Sequence, residues 1–353
     1  MLQVWFVFVL GFLFSANIQA EEIGIYELQR GDLSATFTNY GATMLSLILP
    51  DKNGKLDDIV LGYDTIEEYM NDTTYFGAIV GRVANRIAGA QFTFNGTHYN
   101  LDANEGSNML HGGSKGFGEV IWSVQSYQED SHVSFTYNSF DGEEGFPGNL
   151  SVIVTYMLID SNKLGVRMEA KALDKATPVN LALHTYWNLA GHNRGDILSH
   201  EIQILADSIT PVDEALIPTG QIKPVNGTPY DFLAPRTIGS MLDQLPDGYD
   251  INYVLQNNSL GRLQKAVQVH ECVSGRTMEL WTTKPGLQFY TSNQLVEEKG
   301  KDGSVYRKYA GIALETQGFP DSVNHPNFPS QMVMPGESYQ HVMVYRFTTK
   351  KNN

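Results

Sequence analysis

Apolar and polar residues alternate with a period of two along most of this chain. LSVIVTYML (150–158), KLGVRMEAKAL (163–173), HEIQILA (200–206), TMELWTT (277–283) and YQHVMVYRFTT (339–349) all carry the pattern. A strand sends successive side chains to opposite faces, so each run predicts a strand with one face in a core. QFTFNGTHYNL (91–101) has Asn-Gly between β-prone residues and predicts a hairpin. MLSLILPDKNGKLDDIVLGY (44–63) predicts another with a longer polar turn, and HVSFTYNSF (132–140) meets LSVIVTYML across the loop DGEEGFPG. LQFYTSN (287–293) and GIALETQ (311–317) add two strands, whereas helical signals are confined to TIEEYM (65–70) and IGSMLDQL (238–245). Many short strands separated by Gly, Pro and Asn predict an all-β, antiparallel sandwich with a few short helices.

One run departs from the ordinary pattern. VNLALHTYWNLAG (179–191) alternates Leu181, Leu183, Thr185 and Trp187 with Asn180, Ala182, His184, Tyr186 and Asn188. The first set belongs in a core. The second is not the Lys, Glu and Thr of a solvated sheet face. It fits a site that holds a polar ligand, although a lone buried histidine satisfied by its neighbours is the more ordinary occupant of such a place.

Composition narrows the class. The 353 residues are 42% hydrophobic, enough for one large core, and the formal charge of −15 disfavours nucleic acid, anionic membranes and phosphorylated substrates. Residues 1–20, MLQVWFVFVLGFLFSANIQA, are uncharged and apolar and end in small and polar residues. They read as a secretory signal peptide, although they lack a basic start. The apolar stretch is shorter than the ~18 residues a membrane anchor needs. Residues 21–353 then form a single domain, and the expected location is extracellular. Sequons at Asn71, Asn95, Asn149, Asn226 and Asn257 agree with export as a glycoprotein, and the single Cys272 rules out an internal disulfide.

Phosphate-loop, zinc-protease and serine-hydrolase signatures are absent. Four stretches retain chemical interest. GRVANRI (81–87) places Arg82 and Arg86 in an acidic chain, where a guanidinium suits either hydroxyl-rich ligands or a structural ion pair. In LHGG, His111 precedes two glycines that permit a tight turn or close ligand approach. Asp250 opens the strand of GYDINYVL, where it can serve a site or a local turn. Glu315 lies inside the apolar run GIALETQ, so its pKa should be raised. Two histidines and two carboxylates without a metal or nucleophile signature point to acid–base chemistry on a neutral polyol.

GRVANRI, LHGG, HTYWNLAGH, GYDINY, GLQFYTSN and LETQGFPD occur in the order found in aldose 1-epimerases, also called galactose mutarotases. The chain resembles that family from about residue 23 to 347, and in motif detail it is most similar to plant members. The resemblance implies a galactose mutarotase-like β-sandwich that interconverts the α and β anomers of aldohexoses such as glucose and galactose. It implies no cofactor and no metal. It assigns His184 as proton donor to the ring oxygen and Glu315 as base for the C1 hydroxyl. His111 and Asp250 become hydroxyl ligands near the reacting centre, and Asn85, Arg86, Tyr186 and Gln288 further substrate contacts. The implied partner is a small aldose, with no nucleic acid and no membrane once the leader is removed. Two positions depart from the common pattern, Leu183 in place of Asn and Ile251 in place of His, and both bear on sugar preference. A non-catalytic sugar-binding sandwich, a glycosidase using Asp250 and Glu315, and a hexose-6-phosphate epimerase are the competing readings.

Overall fold

The computed structural model describes residues 22–256 and 261–349. The leader at 1–20 and the sequon at Asn257 lie outside the described residues. Two large antiparallel sheets form the body. One has nine strands, in the order Ser123–Gln128, His132–Ser139, Leu150–Asp160, Lys163–Ala172, Ser338–Thr349, Arg276–Thr282, Gln264–His270, Glu201–Ile204 and Arg236–Thr237. The other has six, in the order Tyr186–Trp187, Ile312–Gln317, Gly286–Tyr290, Asp250–Leu255, Ala206–Thr210 and Lys223–Pro224. A four-stranded sheet covering residues 25–58 packs on the same core.

The period-two pattern explains the layering. Leu287, Phe289, Ile312 and Leu314 from the six-stranded sheet share one buried cluster with Val267, Leu280, Met343 and Tyr345 from the nine-stranded sheet. Trp187 meets Tyr345 across the layers at a 5.0 Å ring separation. The intervening residues, Gln288, Tyr290, Ala313 and Glu315, therefore point away from that core. The Asn95-Gly96 hairpin forms as expected, with φ of 50° and 77° at the two turn residues and strands Gln91–Phe94 and Thr97–Asn100 on either side.

The short helical signals also appear. Ile66–Met70 is an α-helix held by a capping box between Thr65 and Glu68, and Ile238–Gln244 is a 3-10 helix. The run 179–191 is not the continuous strand its alternation predicts. Ala182–Leu183 pairs with Ile79–Val80, and Tyr186–Trp187 pairs with Ala313 and Ile312. Between these two short ladders the His184 backbone is held on both sides, donating to Ala78 O and accepting from Gly77 N. The chain changes partners at the histidine, which breaks the strand while keeping the histidine's own N–H and C=O bonded.

Candidate active site

The six-stranded sheet brings four of the sequence-derived residues into lateral register. Gln288 lies directly opposite Glu315, Asp250 opposite Tyr290, and Tyr186 and Tyr290 both opposite Ala313. Of the remaining four, His184 enters from the break between Ala182–Leu183 and Tyr186–Trp187, and Asn85, Arg86 and His111 arrive from the 75–111 segment. Arg86–Ile87 pairs with Met109–Leu110, and His111 N then donates to Asn85 O at 3.0 Å. Together they line a cavity of about 490 Å³ that contains all eight expected residues: Asn85, Arg86, His111, His184, Tyr186, Asp250, Gln288 and Glu315.

Local backbone geometry at the site is unusual. Tyr75, Asn85 and His111 all have φ between 51° and 62°, a region that costs a non-glycine residue free energy and that clusters at functional sites. The LHGG glycines allow the close approach. A Cβ on Gly112 would collide with Gly81 O, and one on Gly113 with the Glu144 carboxylate.

Glu315 and His184 form the floor. Nε2 of His184 is 3.6 Å from Oε1 of Glu315, and both side chains are buried. Burial pushes the Glu315 carboxyl up to about 8, with Asp250 adding to the shift and Arg86 opposing it. Burial draws His184 down to about 4. Between those values the pair holds one proton, and in the sugar-free site burial places it on Glu315, leaving both groups neutral. Nδ1 of His184 and Oε2 of Glu315 are buried without a hydrogen-bond partner among the described residues. Nδ1 of His111 accepts from Asn85 N at 3.2 Å, so its Nε2 carries the proton when the ring is neutral. Burial, the nearby His184 and Arg86 keep this imidazole neutral far below its usual range.

The polar walls are already cross-linked. Gln288 donates to Asp250 at 2.6 Å, and burial raises the Asp250 pKa. Arg86 makes two parallel 2.6 Å bonds to Glu105, which is the ion pair its sequence allowed, and it also lines the cavity. Tyr186 donates to Thr74 O at 2.9 Å, and therefore meets the cavity with its ring and an acceptor lone pair. Arg82 is structural: it lies buried against the carbonyls of Pro147 and Gly148 and the hydroxyls of Ser139 and Thr177. Asn180 lies outside the catalytic cavity; it exchanges hydrogen bonds with the Gly318 backbone. Its expected face was lost when the 179–191 run broke.

Sequence reasoning missed two aromatic walls. Tyr290 shares a strand face with Gln288, and that spacing was available to find it. Tyr75 had no signal; its ring stands 4.7 Å from His111 and 5.9 Å from His184 because Asp72 gathers the N–H groups of Thr74 and Phe76 and fixes the loop. Ligand-type atoms of His111, His184 and Glu315 lie within 4.8 Å of one another, which raises the question of a metal. The Asn85 N–H on Nδ1 fixes the His111 proton on Nε2. That ring could bind a cation through Nε2 only by giving up this bond and tautomer.

A β-sandwich whose cavity gathers two imidazoles, two carboxylates, a guanidinium and side-chain amides has the groups that proton transfer on a polyol requires. The chain belongs to the aldose 1-epimerase family, whose model matches residues 24–346. It is 45% identical to the galactose mutarotase of Rattus norvegicus over 92% of this chain and 93% of that one. The galactose mutarotase of Sus scrofa is 44% identical over the same shares. A solved aldose epimerase homologue from C. elegans superposes with a TM-score of 0.86 at 31% identity, covering 93% of this chain and 99% of that one.

Proposed function

We propose that this protein is an aldose 1-epimerase that interconverts the α and β anomers of aldohexoses such as glucose and galactose, with Glu315 and His184 as its proton-transfer pair. The observation that carries the assignment is the 3.6 Å approach of two buried, oppositely shifted groups in one cavity. Family membership and the similarity to galactose mutarotases support the same activity.

Ring opening removes the C1 hydroxyl proton as C1=O forms, breaks the bond from C1 to the ring oxygen, and protonates that oxygen. Glu315 takes the first proton and His184 gives the second. Rotation about C1–C2 presents the other carbonyl face, and closure runs the same transfers in reverse. The pair holds a single proton throughout. Burial favours keeping it on Glu315; the attraction between carboxylate and imidazolium, together with donated sugar hydroxyls, favours the ionic arrangement that starts ring opening. His111 can donate from Nε2 to a hydroxyl near the reacting centre. Asp250, Gln288, Asn85, Arg86 and Tyr186 hold the remote hydroxyls and leave C1–C2 free to turn.

Leu183 and Ile251 both lie in the main core, so these departures act on the packing behind the site and through it on sugar preference. Motif detail supports a place beside plant members of the family. The apolar 1–20 segment supports secretion, and the exposed Asn71, Asn95 and Asn226 support glycosylation. Polarimetry on freshly dissolved α-D-glucose and α-D-galactose tests the activity: the rotation should relax faster than in buffer, in proportion to enzyme. A protein that binds either sugar without accelerating relaxation is a binding module instead.

A further inference from the structure

A second cavity, of about 250 Å³, shares no lining residue with the first. Among the described residues Lys284 is its only charged lining residue, in the turn between strands Arg276–Thr282 and Gly286–Tyr290. Nζ lies 3.5 Å above the centre of the Tyr339 ring and makes no ion pair or hydrogen bond among the described residues. The rest of the polar lining is amide and hydroxyl: Asn180, Thr283, Ser330, Ser338 and Gln340 among them. His341, just behind Tyr339, is buried and neutral, with hydrogen bonds to Thr316, Thr282 and Leu181 O.

This chemistry selects a ligand class. With no carboxylate among the described lining residues, no ion pair there holds Lys284 as an ammonium. With no second cation among them, an anionic ligand or a carbamate on the amine would also lack a counter-charge. A neutral polyol suits the amide and hydroxyl lining. An aldehyde on that polyol would meet the amine and give an adduct that needs no counter-ion. We propose that this cavity is a second aldose-binding site, at which the Lys284 amine condenses with the aldehyde of an open-chain sugar to form an imine.

The step balances without an oxidant or reductant. The nitrogen lone pair attacks the carbonyl carbon, the N–C bond forms, and the carbonyl oxygen leaves as water with the two amine protons. Burial draws Lys284 down to about 7, while the aromatic face attracts the ammonium form and pulls the other way. Both forms are then present near neutrality, so a nucleophilic amine is available where an exposed lysine is almost wholly protonated. The cavity wall also touches the catalytic strand, because Gly318, three residues beyond Glu315, exchanges hydrogen bonds with Asn180.

Reductive trapping tests the proposal. The native protein is incubated at pH 7 with D-galactose and cyanoborohydride, and each lysine is quantified by peptide mass spectrometry. Lys284 should be labelled at least roughly tenfold faster than the exposed Lys55 and Lys175. The advantage should vanish in guanidinium and fall when sorbitol, a polyol without a carbonyl, competes. The Glu315→Gln variant should label equally, because aldoses open spontaneously; loss of the label there would trace it to the catalytic cavity and overturn the proposal. Labelling of Lys284 no faster than the surface lysines overturns it too. So does a preference seen with formaldehyde and not with galactose, which marks a reactive amine without a sugar site.

Discussion

Glu315 and Glu271 are each 2% exposed, yet their surroundings push them in opposite directions. Glu315 sits in a strand whose six residues are all buried, with the His184 imidazole 3.6 Å from its Oε1 and no hydrogen-bond partner for Oε2 among the described residues. Glu271 sits beside exposed Cys272 and Val273, at the start of a turn. Burial pushes Glu271 up as well, but the N–H groups of Val273 at 2.8 Å and Ser274 at 2.6 Å outweigh it and hold the carboxyl below the usual range. Inaccessibility alone does not make an acid catalytic. Two things separate them: Glu315 lies deep in the fold beside Asp250, whereas Glu271 lies nearer the surface and has backbone donors supplied to its charge. The turn supplies them and gains stability; the cavity floor withholds them and keeps a proton to move.

The largest test of that contrast is kinetic. Glu315→Gln and His184→Asn should each lower kcat about 10²-fold or more, while KM changes far less because the remote hydroxyl contacts remain. The double variant should be little worse than the poorer single one, since the two act as a unit. Near-wild-type mutarotation by either variant, with an unchanged melting curve, would remove the assignment and make His111 and Asp250 the next pair to examine.

Glu271→Gln should do the reverse. It replaces charge-assisted bonds with weaker ones and should cost about 1–3 kcal/mol of stability in denaturant melts, with kcat per folded molecule unchanged. A kinetic defect there would mean the turn communicates with the site.

The pH dependence sharpens the comparison. The folded-state pKa of Glu315 is raised to about 8, so the stability it contributes is present below its unfolded value and lost as pH rises toward 8. The melting temperature of Glu315→Gln should therefore gain on wild type between roughly pH 4.5 and 8 and hold a constant margin above. For Glu271 the pKa is lowered, so its contribution is present above the unfolded value and lost as pH falls through the folded one. Its Gln variant should be most costly near neutrality and approach wild type in acid. In wild type, kcat/KM should fall on both sides of the range from about 4 to about 8 in which the pair holds one proton. Glu315→Gln should lose the alkaline limb from its residual rate.

The smallest expected effect is none. Chelation and dialysis should leave mutarotation unchanged, because Asn85 fixes the His111 tautomer against metal binding. Activity lost to a chelator and restored by one divalent ion would show that this hydrogen bond yields to a cation.

The layers were legible from the order of residues alone. Period-two alternation in runs such as 150–158, 163–173 and 339–349 fixes which face is buried, because a strand offers only two faces. The same rule sent Leu183 and Ile251 into the core, and the Asn95-Gly96 turn followed from its own two residues. Weakly patterned strands such as Ser123–Gln128, almost wholly exposed, and Gln264–His270 went unread because packing rather than periodicity decides them. That eight particular residues would share one cavity was legible through motif order, which carries the outcome of tertiary structure without its geometry. Tertiary structure alone decided the rest. It broke the 179–191 run at His184, turned Asn180 out of the cavity and brought Tyr75 onto two imidazoles. It also set opposite pKa directions on two glutamates that are both inaccessible to solvent. Each of these depends on which groups from distant segments reach a side chain within a few ångströms, and the order of residues along the chain does not encode that distance.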